Sequence, residues 1–170
     1  MALQIVRLTS TDVARFREVR VAGLRMDPNG FRYSETEDAA IDTGRWAARL
    51  DNEYVVAAQH EGSDEILGVG GFSLFAGDKL AHKGLIWGMY VHQSARGTGV
   101  ADAITDALIA HARTRVRHLQ LTVMSDNVRA RAFYERHGFV TYATEPEAVR
   151  QGDELRDEDS MWLSFAPRTR

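Results

Sequence analysis

The most constraining feature of the chain is a glycine-containing loop between an apolar run and an amphipathic segment. Residues 85–91, Leu-Ile-Trp-Gly-Met-Tyr-Val, predict a buried strand because the run is short, apolar and partly aromatic. Beyond residue 99, apolar side chains recur at helical spacing, at Val100, Ile104 and Leu108. Residues 96–99, Arg-Gly-Thr-Gly, therefore join a strand to a helix. The pattern predicts that this region forms part of a sheet with a helix packed on it.

The rest of the chain interleaves predicted strands and helices. Capping side chains at residues 9–12, followed by helical spacing, predict a helix over residues 13–24. A weaker helical pattern predicts a second helix over residues 37–50, and a short helix is predicted over residues 127–137, where Gly138 ends it. Apolar or alternating runs predict the other strands, at residues 3–8, 53–60, 66–75, 119–124, 139–144 and 161–165. The polar stretch of residues 145–159 is expected to connect the last two strands. Because no repeat or linker interrupts this pattern, we expect a single domain over residues 1–170, of the α/β or α+β class.

Bulk composition limits the classes of function. The chain has 170 residues, of which 44% are hydrophobic, and no cysteine. The absence of cysteine excludes disulfides, thiolate metal sites and a cysteine nucleophile. A formal net charge of −3 argues against nucleic acid as an obligatory partner, because binding phosphates needs a basic surface. No apolar stretch is long enough for a signal peptide or a membrane span, so we expect a cytoplasmic protein with no membrane partner.

The loop at residues 96–99 is suited to an anion. Free amide groups and the positive end of the helix dipole meet where the helix begins. Gly97 and Gly99 let a ligand approach the backbone, and Arg96 adds a positive charge that suits phosphate oxygens. A nucleoside-triphosphate loop is excluded, because Gly99 is followed by Val-Ala-Asp rather than by Lys and Ser or Thr. Two alternatives stay open on these residues: a dinucleotide loop, weakened by Asp102 at its third glycine position, and a turn without a ligand.

A second constellation follows the predicted strand at residues 119–124. Asn127, Ala130 and Tyr134 are three and four residues apart and share a helix face, and Gly-Phe follows at 138–139. Together, the two constellations resemble the GNAT superfamily of N-acetyltransferases. The pyrophosphate motif of that family, Gln/Arg-x-x-Gly-x-Gly/Ala, corresponds to residues 96–101. The resemblance is close from residue 85 to residue 139 and looser over the rest of the chain.

The resemblance implies a fold and a co-substrate. Members have a twisted mixed sheet of six to seven strands, mostly antiparallel, with about four flanking helices. Two central parallel strands, here residues 85–91 and 119–124, splay apart, and acetyl-CoA lies in the gap, where its amides can pair with free backbone groups. The residues that the resemblance implies for binding acetyl-CoA are Met89, Tyr90, Val91, Arg96, Gly97, Thr98, Gly99, Val100, Ala101, Asn127, Ala130, Phe133 and Tyr134.

The resemblance also implies a mechanism. In the family an amine attacks the thioester directly in a ternary complex, which fits a chain without cysteine. Tyr134 is implied as the general acid for the leaving thiolate, and a backbone N–H near Tyr90 or Val91 as the oxyanion donor. Many members carry the general base on the first splayed strand, but residues 85–91 contain no carboxylate. The candidates by sequence neighbourhood are water and four side chains, those of Glu35, His82, His92 and Ser125. The six histidines lack metal-ligand spacing, so no metal is expected.

The sequence does not identify the amine that accepts the acetyl group. Two acidic segments are expected to wall its cleft, and they contain Glu35, Glu37 and Asp38, and then Asp153, Glu154, Asp157, Glu158 and Asp159. Their charge favours a cationic small molecule or a peptide amine, and the alternative is that they are solvated loop charges. The resemblance implies a homodimer through the last strands, where the apolar run 161–165 is either interface or core. The predicted function is an acetyl-CoA-dependent N-acetyltransferase; the alternatives are a non-catalytic acyl-CoA-binding module and a dinucleotide-dependent oxidoreductase.

Overall fold

The computed structural model describes residues 2–166, which form one seven-stranded sheet with helices on both faces. The strands run in the order β1-β2-β3-β4-β5-β7-β6. Their bounds are β1 Leu3–Arg7, β2 Tyr54–His60, β3 Gly68–Leu74, β4 Lys83–Val91, β5 His118–Met124, β6 Val140–Gln151 and β7 Glu154–Ser164. The α-helices are α1 Val13–Met26, α2 Glu35–Ala39, α3 Thr43–Asn52, α4 Val100–Arg113 and α5 Val128–Arg136.

The sheet confirms the predicted mixed topology with a splayed centre. Each neighbouring pair of strands is antiparallel except β4 and β5, which are parallel. These two pair only where residues 83–85 face residues 118–120. Beyond Leu85, β4 stays paired with β3, and β5 stays paired with β7. The two strands therefore leave a gap between them over residues 86–91 and 121–124, with backbone groups that no strand satisfies.

A β-bulge accounts for the divergence of β4. Val69 pairs with Tyr90, whereas Gly71 pairs with Trp87, so β4 carries one extra residue opposite this part of β3. Within the bulge, Gly88 has φ +65°, a left-handed conformation that side chains disfavour. An extra residue bends the strand that carries it and increases its local twist. The bulge thus turns the end of β4 away from β5.

Two apolar clusters lie on opposite faces of the sheet. Along β2, Val56 and Ala58 face the cluster covered by α4, while Val55 and Ala57 face the cluster covered by α1 and α3. This alternation is the period of two that a strand imposes on its side chains. The first cluster is centred on α4, whose stripe at Val100, Ile104 and Leu108 is buried as the spacing predicts, and the second contains Phe16 and Trp46.

The predicted helix over residues 37–50 is wrong in its extent. Two helices occupy this region, α2 and α3, instead of one. The side chain of Asp42 accepts hydrogen bonds from the backbone N–H groups of Gly44 and Arg45, at 2.7 and 3.3 Å. These bonds satisfy the first free donors of α3 and start a new helix there.

The prediction that residues 145–159 form a connection without strands is also wrong. This stretch forms most of a long hairpin in which β6 and β7 pair from Val140–Trp162 out to Gln151–Glu154. The outer part of this ribbon is largely exposed on both faces, so its sequence has no apolar alternation to reveal a strand. Met161 is fully buried and its strand lies between β5 and β6, which favours the core interpretation of the run 161–165. The homodimer stays a prediction.

A stacked histidine on α4 leads to the first testable prediction. The rings of His111 and Tyr54 stack with centroids 3.6 Å apart. Partial burial, together with the positive charges of Arg115 and Arg7, lowers the pKa of His111 to about 4. An unfolded histidine titrates near pH ~6.5, so the unfolded chain binds this proton first as the pH falls. The stabilisation from neutral His111 is therefore complete above that pH and is lost as the pH falls towards 4.

We expect the free energy of unfolding of the wild type to decrease between pH 7 and pH 4.5 by more than that of His111→Gln. The difference should be on the order of 1 kcal/mol, because partial exposure to solvent screens the effect. Urea unfolding at the two pH values measures it. Equal pH dependence in the two proteins would show that His111 does not titrate differently in the folded state.

Candidate active site

Two adjoining cavities occupy the gap between β4 and β5. The outer cavity, of about 640 Å³, lies between the end of β4, the loop before α4 and helix α5. The inner cavity, of about 380 Å³, lies between the splayed strands and the segment that follows α1. Asp27, Met89, Asn127 and Ala130 line both. The two cavities therefore adjoin at these residues.

The N-terminus of α4 opens onto the outer cavity. Its N-cap residue is Gly99, with φ +87°, and no side chain caps the helix. A Cβ atom at this position would meet no atom within 4 Å, so the space beside the backbone is open. The first N–H groups of a helix have no partner within the helix and carry the positive end of its dipole. The local structure has the uncapped N–H groups and the open space that the predicted anion site requires, and anion binding itself stays a prediction.

Basic side chains surround this helix terminus. Arg96 donates from Nε to the carbonyl oxygen of Val91 at 3.2 Å, and its Nη2 lies 3.7 Å from Asp27 Oδ2. Arg129 and Arg136 also line the outer cavity, and Arg136 pairs with Asp102 at 2.6 Å. These two arginines cannot be predicted as site residues from the sequence, because their approach to the loop depends on the packing of α5 beside α4. Their charges add to the attraction for an anion.

The structure brings together most of the residues selected from the sequence. Those that line the outer cavity are Met89, Tyr90, Val91, Arg96, Gly97, Gly99, Ala101, Asn127, Ala130 and Phe133. Thr98 and Val100 do not line it with their side chains. The hydroxyl of Thr98 donates to the carbonyl of Ala95 at 2.6 Å, and Val100 is buried in the core.

Tyr134 lies at the inner end of the gap. It lines the inner cavity, with only 8% of its surface exposed, and its ring makes edge contacts with Phe133 and Phe139. Helix α5 positions it: the side chain of Asn127 accepts from Ala130 N–H at 3.1 Å at the start of the helix. At the end, Phe139 N–H donates to the Tyr134 carbonyl. Burial raises the pKa of Tyr134, so the phenol keeps its proton at neutral pH.

The charged groups of the inner cavity differ from those expected. Arg20, Arg32 and Arg49 line it, with Asp27 and Glu158 as its carboxylates. Arg32 pairs with Glu158 at 2.8 Å. Glu158 belonged to the acidic segment selected from the sequence, but it lies on a buried strand position rather than in a loop.

Three other acidic residues of the two segments, Glu37, Asp38 and Asp159, have partners outside the inner cavity or in its wall. Asp38 is buried and pairs with Arg20 at 2.5 Å. Burial lowers the pKa of Arg20, and the negative charge of Asp38 only partly offsets this effect. The side chain of Glu37 accepts from Ser34 N–H, which closes a capping box. Asp159 accepts hydrogen bonds from Ser125, Thr144 and Arg131, which together hold its pKa below the usual range. These acids therefore give little support to a cationic acceptor.

None of the four side chains considered as general base lines the inner cavity. Glu35 pairs with Arg25 at 2.5 Å outside it, and this pairing lowers the pKa of Glu35. Ser125 donates to Asp159, also outside the inner cavity. His92 stacks edge-on against Tyr90, and His82 lies against His118. The carboxylates placed to meet an amine in this cavity are Asp27 and Glu158.

Two searches of the described residues concern other ligand classes. No cluster of three or more His, Asp or Glu side chains able to hold a metal ion occurs in residues 2–166. Over the same residues, no helix is both long enough and apolar enough to span a membrane.

Comparison with known proteins adds independent information. The model of the acetyltransferase (GNAT) family matches residues 20–139. A 5-NmdU N-acetyltransferase of Pseudomonas phage PaMx11 is 32% identical over 92 residues, which cover 54% of this chain. The match spans 61% of the length of that curated relative.

Solved structures agree with this assignment at the level of the fold. An acetyltransferase of the GNAT family from Streptococcus pneumoniae superposes with a TM-score of 0.82 at 19% identity, over 97% of this chain and 100% of its own. The yncA protein of Salmonella typhimurium, solved with its cofactor acetyl-CoA, gives a TM-score of 0.82 at 19% identity, over 100% and 98% of the two chains. The family match covers most of the chain, including both sequence constellations and the two splayed strands that form the site. The chain belongs to the GNAT family of acetyltransferases.

Proposed function

We propose that the protein is an acetyl-CoA-dependent N-acetyltransferase that acts on a primary amine by direct attack in a ternary complex. The observation that carries this proposal is that the two cavities adjoin in the gap between β4 and β5. One cavity presents an open helix N-terminus among arginines, and the other is smaller and lies beside a buried tyrosine. An activated acyl group carried on a long phosphorylated arm fits this arrangement.

The residues present fit acetyl-CoA. The uncapped N-terminus of α4 and the side chains of Arg96, Arg129 and Arg136 suit its phosphates. The unpaired edge of β4 over residues 86–91 offers backbone groups to the amides of its pantetheine arm. When bound, acetyl-CoA supplies the thioester that the amine attacks. The backbone N–H of Tyr90 or Val91 is our candidate to stabilise the oxyanion.

We assign Tyr134 as the proton donor to the leaving thiolate. Its phenol is protonated because burial raises its pKa, and it lines the inner cavity. Burial would also disfavour a free thiolate and so raise the pKa of the CoA thiol. The pKa values of the Tyr134 phenol and of this thiol would then both be raised, which favours proton transfer between the two groups. Deprotonation of the amine falls to Asp27, to Glu158 or to water that they hold. We further propose that residues 1–170 act as one domain, since one sheet joins the described elements.

The match covers 61% of the phage relative, so the acceptor of this chain is inferred from its own inner cavity. A non-catalytic acyl-CoA-binding module would use the outer cavity but would have no need of Tyr134 in the inner one.

Calorimetric titration with acetyl-CoA, CoA and NAD tests the cofactor first. We expect acetyl-CoA and CoA to bind in the micromolar range and NAD not to bind, because the loop lacks the third glycine of a dinucleotide site. Release of free CoA thiol in the presence of a panel of amines then tests for transfer. Binding of NAD without acetyl-CoA would replace the proposal with an oxidoreductase, and binding of acetyl-CoA without transfer to any amine would favour the binding module.

A further inference from the structure

A buried arginine faces the inner cavity with unused donors. Arg20 is only 6% exposed, and its Nε bonds to Asp38. Within residues 2–166 its Nη1 and Nη2 groups make no hydrogen bond, although the residue lines the inner cavity. A Cβ atom placed on Gly88 would lie 3.3 Å from Arg20 Nη1, so the guanidinium points at the bulge of β4. These donors open onto the cavity and have no protein partner there, so a ligand oxyanion at this place would accept charge-assisted hydrogen bonds from them.

A second arginine lies beside the first. The guanidinium carbon of Arg49 lies 3.5 Å from the centroid of the Trp87 ring, and its Nε donates to Glu53 at 3.0 Å. Its Nη groups have no hydrogen-bond partner among the described residues. Trp46 lies near both guanidinium groups, at 4.9 Å from Arg20 and 5.6 Å from Arg49. Stacking on indole rings fixes the two planar groups, which lowers the entropic cost of binding with them.

The balance of charge in the inner cavity favours an anion at this end. Of its carboxylates, Glu158 already pairs with Arg32, and Asp27 faces Arg96 at the boundary with the outer cavity. Asp38 and Glu53 each bond to one Nε and leave the Nη groups free. The two donor pairs of Arg20 and Arg49 therefore remain for a ligand. An uncharged or purely cationic amine would form no charge-assisted hydrogen bond with these donors.

The remaining walls describe the rest of the ligand. Apolar and aromatic side chains, those of Phe31, Leu85, Ile86, Leu121, Val123 and Met124, line the cavity. Its volume, about 380 Å³, limits the acceptor to a small molecule. Gly88, which faces Arg20, is the neighbour of Met89, where the inner and outer cavities meet. The anion end of the acceptor would thus lie close to the place where its amine reaches the thioester.

We propose that the acceptor is a small amino acid whose carboxylate binds between Arg20 and Arg49 and whose amine receives the acetyl group. This inference rests on the proposed function and narrows its substrate. The amine nitrogen forms a bond to the thioester carbonyl carbon, the carbon–sulfur bond breaks, and the products are an N-acetyl amino acid, CoA and one proton. The arginines bind and orient the acceptor and do not take part in the transfer.

Matched acceptor sets test the proposal. Neutral α-amino acids are assayed for release of CoA thiol, each beside its carboxamide and its decarboxylated amine, with wild type, Arg49→Gln and Arg45→Gln. Arg45 is exposed on the same helix and does not line the cavity, so its variant is the control. For at least one amino acid, we expect kcat/KM to exceed that of its carboxamide and amine by about 10- to 100-fold, the range for charge-assisted hydrogen bonds. Arg49→Gln should remove this preference through KM, and Arg45→Gln should keep it.

A binding measurement separates this inference from the proposed function. Quenching of tryptophan fluorescence reports ligands beside Trp87 and Trp46 in the complex with CoA. Transfer to amines without preference for a carboxylate would overturn the inference and leave the acetyltransferase. Binding of amino acids that depends on Arg49, without any transfer, would overturn the acetyltransferase and leave the carboxylate site. If amino acids neither bind nor react, the inference is wrong.

Discussion

Replacing Tyr134 by phenylalanine is expected to lower kcat by about 100-fold or more, the usual contribution of a positioned general acid. The substitution removes one hydroxyl and keeps the ring that contacts Phe133 and Phe139. Affinity for acetyl-CoA should change little, because the phosphate end of the site lies at the N-terminus of α4. Steady-state rates of CoA thiol release, together with calorimetric titration of acetyl-CoA, measure the two effects separately.

The matched control for this variant is Tyr142→Phe. Tyr142 lies on β6 with 53% of its surface exposed and lines neither cavity. Its variant should keep wild-type kcat. If Tyr134→Phe also keeps wild-type kcat, the tyrosine only packs against its neighbours, and water must protonate the thiolate. A fall in acetyl-CoA affinity that matches the fall in rate would assign Tyr134 to binding rather than to proton transfer.

Placing a carboxylate at the glycine loop should abolish cofactor binding. In Gly99→Glu, the new side chain would place a negative charge at the N-terminus of α4 and repel the phosphates that we propose to bind there. We expect the Kd for acetyl-CoA to rise by at least about 100-fold, equivalent to about 2.7 kcal/mol. Calorimetric titration of wild type and variant gives the change directly.

The control must carry the same backbone strain, because Gly99 has φ +87° and strain at such positions costs about 1–3 kcal/mol of stability. Gly77 has φ +93° and equally open surroundings, and it lies in the loop between β3 and β4, away from both cavities. Gly77→Glu should therefore lose similar stability in urea unfolding and bind acetyl-CoA normally. Equal loss of binding in the two variants would mean that strain, not charge at the helix terminus, is responsible.

The parts of the site built from consecutive residues could be predicted well. The run of 85–91, the loop of 96–99 and helix α4 each follow from neighbouring residues, and so does the short helix α5 that ends before Gly138. The predictions were weaker where tertiary contacts decide. Helix α2 is separated from α3 by a cap at Asp42, and the outer part of the β6–β7 hairpin has no apolar pattern because both its faces are largely exposed.

The inner cavity, where the acceptor is proposed to bind, depends most on contacts between residues distant in sequence. Arg20 on α1 and Arg49 on α3 have no spacing relation to each other or to Trp87 on β4. The sequence instead drew attention to acidic residues such as Asp38, which the fold uses to pair with Arg20. Which charge stays free in a cavity depends on which partner each group meets after folding, and such pairing joins residues distant in sequence.

The sequence by itself determined the family, because the two motifs that resemble it are runs of neighbouring residues. It also determined the glycine loop before α4 and the place of Tyr134 on α5, because helical spacing and glycine backbone freedom act over a few residues. Only the tertiary structure decided that β4 bends away from β5 at Gly88 and that two arginines with free donors face the resulting cavity. The physical reason is that a bulge, a burial and an ion pair depend on contacts between separate elements, and only packing of the whole sheet against its helices sets those contacts.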